Sequence, residues 1–227
     1  MGMRRGFLGG LVVLGLAGCS GGTEGPGTTL EVFQRAGELL PRPQEPEVER
    51  PPVTRAALDA LDGAFLEATI EDLDLLAYLF VNADRRDDGP GPIVVWRTDD
   101  NITLTLRGGV LVATRGLGGD ILSADTLQAP GRPGPALGTG QRRLFLRTGG
   151  NRVETLTLAC AVTDLGPDTI VIVERPHATR HLREDCQGGG GRIVNDYWVD
   201  YDAGLVWQSR QWAGPTTGYM VFRQLTP

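Results

Sequence analysis

The sequence predicts an all-β fold, an antiparallel barrel-like or strongly curved sheet with short N-terminal helices. Three observations carry this expectation. Glycine and proline account for 33 and 15 of the 227 residues, and they punctuate the chain at the short intervals that suit strands joined by turns. Apolar and polar residues alternate in several segments, most cleanly in Ile102-Thr103-Leu104-Thr105-Leu106-Arg107. Long stretches of helical period are few.

The first element is not part of the domain. Arg4 and Arg5 precede an apolar run over residues 7–16, and Leu16-Ala17-Gly18-Cys19 follows. A positive head, an apolar middle and a small-residue cleavage site form a secretory signal peptide. The middle is too short and too glycine-rich to span a bilayer as a permanent helix. A cysteine directly after Ala-Gly resembles the lipobox of bacterial lipoproteins, in which the thiol is acylated and becomes the first residue of the mature chain. Residues 1–18 are thus expected to be removed and Cys19 to be the lipid attachment site. Two or more acyl chains anchor a protein stably where one does not, since each buried methylene contributes about 0.8 kcal/mol. Ser20 follows Cys19 where an aspartate would signal inner-membrane retention, so the expected location is the outer membrane, facing the periplasm.

Residues 19–53 then read as a tether. Residues 20–29 are Gly- and Thr-rich and flexible. Leu30, Phe33, Gly37 and Leu40 fall at helical spacing beside Val32, Ala36 and Leu39, a short amphipathic helix. Residues 41–52 form a Pro-rich spacer. The β domain is expected over residues 54–227. Thr54 is placed to cap a helix over residues 55–61 that presents Ala57, Leu58 and Leu61. Strands are predicted over residues 65–70, 75–81, 93–97, 102–107 and 110–115, with Gly108-Gly109 reversing the last pair. Residues 120–125 suggest one helical turn and residues 129–140 a Pro/Gly loop. A hairpin follows over residues 142–148 and 153–162, with Leu156, Leu158, Cys160 and Val162 on its inner face. Residues 169–174 form a further strand, residues 177–191 a polar loop ending in four glycines. Residues 193–201, 205–213 and 219–225 complete about ten strands.

Charge narrows the function. The formal net charge is −6, all 22 basic residues are arginine, and loss of residues 1–18, which carry two arginines and no acids, takes it to −8. An acidic chain without a basic stripe argues against nucleic-acid binding and offers no electrostatic attraction to an anionic membrane. Cys160 and Cys186 are the cysteines left once Cys19 is acylated. In an oxidising compartment such a pair is expected to bridge, contributing about 3 kcal/mol by chain entropy. The rival is a metal site drawing on His177, His181, Cys186 and Cys160, which have acceptable ligand types but no reinforcing CxxC or HExxH. No cofactor is called for.

Enzymatic motifs fail on inspection. Gly18-Cys19-Ser20-Gly21-Gly22 fits G-x-S-x-G but straddles the cleavage site with no strand before it. Asp99, Asp100, Asp120, Asp125, Asp196, Asp200 and Asp202 supply carboxylates, of which a glycosidase needs two converging on a sugar. Aromatic residues concentrate late in the chain, at Tyr197, Trp198, Tyr201, Trp207, Trp212 and Tyr219. Alternation puts Tyr197 and Val199 on one face and Trp198 and Asp200 on the other, while Trp207 and Ser209 oppose Gln208 and Arg210. Most such rings belong to a core; one exposed beside Arg210 and Gln211 would make a carbohydrate or partner platform.

Two separated segments resemble the YjbF/GfcB lipoproteins, also called group 4 capsule polysaccharide lipoproteins. One is Gly109 to Ile121, with its glycine–apolar–Thr114–x–Gly116–Leu117–x–x–Asp120–Ile121 pattern. The other is Asn195-Asp196-Tyr197-Trp198-Val199-Asp200 followed by Gly204, Ser209, Gln211 and Pro215. The resemblance covers roughly residues 54–225. It implies a barrel-like β domain on an outer-membrane lipoprotein that supports export or assembly of capsular or extracellular polysaccharide without catalysis. Expected partners are other export proteins, with glycan as a candidate ligand. The candidate ligand or partner surface comprises Arg115, Asp120, Trp198, Arg210, Gln211 and Trp212. The segment over residues 30–52 and the cysteine pair depart from the family pattern. The alternatives are a polysaccharide-trimming hydrolase or lyase and a carrier of lipid-linked material within the curved sheet.

Overall fold

The computed structural model describes residues 53–189 and 191–227. The signal peptide, Cys19, the tether, the helix over residues 30–40 and the Pro-rich spacer lie outside the described residues. One α-helix and twelve strands make up the described fold: α1 (Arg55–Asp59), β1 (Phe65–Ile70), β2 (Leu75–Arg85), β3 (Ile93–Arg97), β4 (Thr103–Arg107), β5 (Val110–Arg115), β6 (Ile121–Asp125), β7 (Gly138–Thr148), β8 (Arg152–Ile172), β9 (Arg175–Gly188), β10 (Gly191–Asp200), β11 (Leu205–Trp212) and β12 (Tyr219–Gln224).

All twelve strands join one antiparallel sheet in the order β5-β4-β3-β2-β1-β12-β11-β10-β9-β8-β7-β6. The sheet curls until its two edge strands, β5 and β6, approach each other, giving a nearly closed barrel. Period-two alternation sets the inside. Leu66, Ala68 and Ile70 of β1 point inward, as do Leu79, Trp96, Leu104, Leu106, Leu144, Leu158 and Phe222 of other strands, all within one buried cluster. The outward residues between those of β1 are polar; Glu67 meets Arg223 of β12 at 2.8 Å. The expected barrel class therefore holds.

Several elements differ from expectation. Thr54 does cap α1, its Oγ1 accepting from Ala57 N at 3.2 Å. The helix ends at Asp59, however, and buries only Leu58, leaving Leu61 53% exposed. The expected helical turn at residues 120–125 is strand β6, because its backbone pairs with β7 from Ile121↔Leu146 to Asp125↔Arg143. The expected polar loop at residues 177–191 is mostly strand β9. Its inward positions are Leu182, Glu184 and Cys186, all fully buried; Arg142, Asn195 and Tyr197 converge on the glutamate's Oε2, while its Oε1 is buried without a hydrogen-bond partner among the described residues. The strand expected at residues 169–174 is the far half of β8. Its true turn is Val173-Glu174, both at positive φ (43° and 66°), the two-residue geometry usually filled by Asn-Gly.

The outer part of the β8–β9 hairpin folds back over the barrel. The register shifts between Asp164 and Gly166, and Gly166 at φ 111° accommodates the bend. Beyond it Ile170, Ile172 and Val173 pack with Leu58, Trp207 and Leu225 in a second core outside the barrel. Trp207 reaches that core because β11 bulges there, Trp198 pairing with Gln208 and Val199 with Val206. His177 closes the cluster, its ring 3.8 Å from that of Trp207.

Cys160 and Cys186 are direct cross-strand partners on β8 and β9 and form a disulfide with a Cα–Cα distance of 4.0 Å. Reduction is expected to cost about 3 kcal/mol, which calorimetry with and without reductant would read as a lower midpoint by roughly 6–12 °C.

His177 gives the fold a pH dependence of definite sign. Burial pushes the imidazole below its ordinary value, and the nearby Arg175 and Arg55 charges add to this against Asp200. The unfolded chain then binds the proton more readily than the folded one, so stability falls as pH drops through about 6.5. Urea titrations at pH 7.5 and 5.5 are expected to show this loss, and His177→Phe to reduce it.

Candidate functional site

The gap between β5 and β6 is closed by side chains in place of a backbone ladder. Gln211 of β11 reaches across the interior and binds β5 as a neighbouring strand would. Its Oε1 accepts from Leu111 N at 2.8 Å and its Nε2 donates to Gly109 O at 2.9 Å. Arg142 of β7 donates to Leu111 O at 3.1 Å. At the far end of β5, Arg115 donates to Ile121 O and Leu122 O of β6 at 3.0 and 3.1 Å. Thr114 Oγ1 accepts from Ile121 N and donates to Asp120 Oδ1, both at 3.0 Å. Asp120 also accepts from Gly116 N and Leu117 N at 3.2 and 3.1 Å, fixing the turn between the two edge strands.

Behind this seam sits a buried ion pair. Arg142 and Glu184 meet at 2.8 Å with side chains 1% and 0% exposed. Asn195 Nδ2 donates to Glu184 Oε2 at 2.7 Å, while Asn195 Oδ1 accepts from Trp212 N at 2.8 Å. The Tyr197 hydroxyl lies 3.2 Å from Glu184 Oε2 and from Gln211 Oε1. Burial, then the Glu184 charge, pushes that phenol well above its usual range, so it stays a neutral donor. A buried pair costs desolvation that only such additional hydrogen bonds offset.

A second constellation covers the outer face of β9–β12. Trp198 and His181 stack with ring centroids 4.6 Å apart and 6° between planes. Trp198 Nε1 donates to Asp168 at 2.7 Å. Asp196 accepts from His181 Nε2 and Arg183 Nε at 2.7 and 2.9 Å. Next to it Arg210 holds Glu71 through two nitrogens and lies 3.7 Å from the centre of the Tyr219 ring.

The six residues expected on one surface therefore divide. Trp198 and Arg210 occupy the outer face, and Trp212 is half-buried against the main core. Asp120 and Gln211 are 4% and 0% exposed, so they are interior groups of the seam, and Arg115 joins that seam from the rim. Gln211 and Arg115 pair with backbone that the edge strands leave open, and Asp120 holds the turn between those strands. The rival metal reading loses its thiols to the disulfide, and His177 and His181 stack on different tryptophans. Sequence reasoning missed Arg142 and Glu184 altogether. The signal was present, since Arg142 and Leu144 alternate in phase, as do Leu182, Glu184 and Cys186.

A family model described as group 4 capsule polysaccharide lipoprotein gfcB, YjbF matches residues 31–225. The chain belongs to the YjbF family. The match takes in most of residues 30–52, so that segment lies within the family's extent and is no departure from it. Among solved structures, the hypothetical lipoprotein YmcC from Escherichia coli (K12) aligns over 90% of this chain and 98% of its own, with TM-score 0.65 and 18% identity; at that identity the likeness shows the fold. No curated protein matches. The two YjbF-like motifs, far apart in sequence, meet in space: Gln211 of one holds Gly109 and Leu111 of the other. A Cβ on Gly109 would lie 2.4 Å from Val206, which accounts for the glycine that opens the first motif.

Replacing Gln211 with leucine is expected to destabilise the YjbF domain by about 2–4 kcal/mol, because two buried backbone groups lose their partners. Hydrogen exchange would show the Leu111 amide losing protection before the β8–β9 amides, a local signature that a general packing defect would not give.

Proposed function

We propose that the chain is a non-catalytic outer-membrane lipoprotein, anchored through acylated Cys19 and facing the periplasm, that supports export or assembly of a capsular or extracellular polysaccharide. Membership of a capsule-polysaccharide lipoprotein family carries this reading. The outer face of β9–β12 supplies the contact surface for glycan or an export component. A stacked indole and imidazole beside the Arg183 and Arg210 guanidiniums present flat faces and polar edges, the mixture that sugar rings and interface partners both use. Three of the carboxylates singled out in the sequence have structural duties. Asp120 fixes the seam turn, Asp196 holds His181 and Arg183, and Asp200 accepts from Asp202 N, Ala203 N and Trp207 Nε1.

Deletion of the gene is expected to abolish or sharply reduce surface polysaccharide, measured by glycan blot of intact cells. The wild-type gene should restore it, and the Cys19→Ala gene should not. Unchanged polysaccharide in the deletion strain would overturn the proposal, and shortening of purified polymer by the soluble domain would replace it with a catalytic one.

A further inference from the structure

Inside the barrel, at the end where β2 finishes and β11 starts, lies a cavity of about 260 Å³. Its wall is mainly apolar, built by Leu66, Val81, Val94, Trp96, Val206 and Phe222. Val81 shows that this space is open. It pairs with Trp96 across β2 and β3 and so shares the inward face with a ring only 3% exposed, yet Val81 itself is 37% exposed. An apolar side chain of the inner face that still meets solvent lines a lumen that the described residues do not fill. The cavity also has polar landmarks. Ser209, whose hydroxyl accepts from Gln211 Nε2 at 2.8 Å, is in its wall, and Arg86 and Asp84 stand among its lining residues.

The cavity shares Arg86, Pro92, Gly108 and Gly204 with a second cleft of about 360 Å³, which is lined by two Pro/Gly segments and adds Arg132. Asp87 also faces this cleft, but Arg107 grips both its oxygens at 2.7 Å and holds the carboxyl far below the usual range. Asp87 is thereby neutralised. Arg86 and Arg132 are then the remaining charged residues in the lining of this second cleft, whereas Asp84 and Pro227 line the first cavity. A narrow apolar chamber that continues into a cleft with net positive character matches a molecule with one apolar chain and an anionic head. Ligand sites are commonly apolar cavities with a few placed polar groups, and barrels above the smallest size enclose such cavities.

We propose that the barrel lumen binds a single-chain anionic amphiphile, its alkyl tail against Trp96, Val81 and Phe222 and its head between Arg86 and Arg132. This inference stands apart from the polysaccharide-export reading, because it uses the lumen and not the outer face.

The test uses the mature-length chain, residues 19–227, carrying Cys19→Ser so that no acyl group is attached, with 12-bromododecanoate below its micelle concentration as the probe. Bromine on the tail is expected to quench tryptophan fluorescence saturably, and Trp96→Phe to remove most of that quenching while calorimetric binding persists. Val81→Phe should fill the chamber and weaken binding about tenfold or more at an unchanged melting midpoint. Arg86→Ala should weaken the carboxylate but leave 12-bromododecanol unaffected. Quenching that rises linearly without saturation, or that ignores both Trp96→Phe and Val81→Phe, would overturn the lumen site. Equal response of acid and alcohol to Arg86→Ala would overturn the placement of the head.

Discussion

The amide of Gln211 stands in for the neighbouring strand that β5 lacks. Twelve strands can curl around a core, but β5 and β6 meet without a backbone ladder, and an unpaired strand edge in a protein interior is costly. Gln211 resolves this by presenting one acceptor and one donor in the spacing of a strand. Arg142 occupies the next carbonyl, and Arg142 must in turn be neutralised by Glu184 in the same dry interior. Asn195 and Tyr197 follow for the same reason, as further partners of that carboxylate. One missing ladder thus accounts for buried polar residues on four strands.

That chain of requirements explains what was legible in the sequence. Alternation gave away the strands whose inner face is apolar, such as β1, β4 and the first half of β8. It failed on β9, where Glu184 breaks the inner apolar face and His177 and Thr179, within the returning part of the hairpin, are buried on the opposite face. It failed on β6 because Asp120 and Asp125 flank only a few residues, and the strand's identity comes from its partner. The Val173-Glu174 turn was hidden because its residues are poor choices for positive φ; a β-branched residue there is held by surrounding packing and not by its own preference. The candidate surface was half legible. Residue type grouped Trp198 and Arg210 with Gln211, one position on from Arg210, whose side chain points the other way.

Resemblance and geometry also answer different questions. The two motif segments carried the family, yet most of their polar members, Asp120, Thr114, Asn195, Tyr197 and Gln211, are occupied with closing the barrel. A signature of this kind records the shape of the domain before it records what the domain touches. The outer aromatic face and the lumen are where contact chemistry is available, and the first motif shows why they are separable: its residues join the inside wall to the rim without reaching the face of β9–β12.

The sheet order has one more implication. β1 bonds directly to β12, so Phe65 N donates to Thr226 Oγ1 across 161 positions of sequence. The first strand of the described residues must therefore wait for the last of them before it gains its second neighbour, with both flanks of that junction exposed until then. Such distant pairing is slow to form. Assembly of this barrel is an event that follows synthesis, and a chain that emerges through a membrane in order would remain an open, adhesive ribbon until its final six-residue strand arrived.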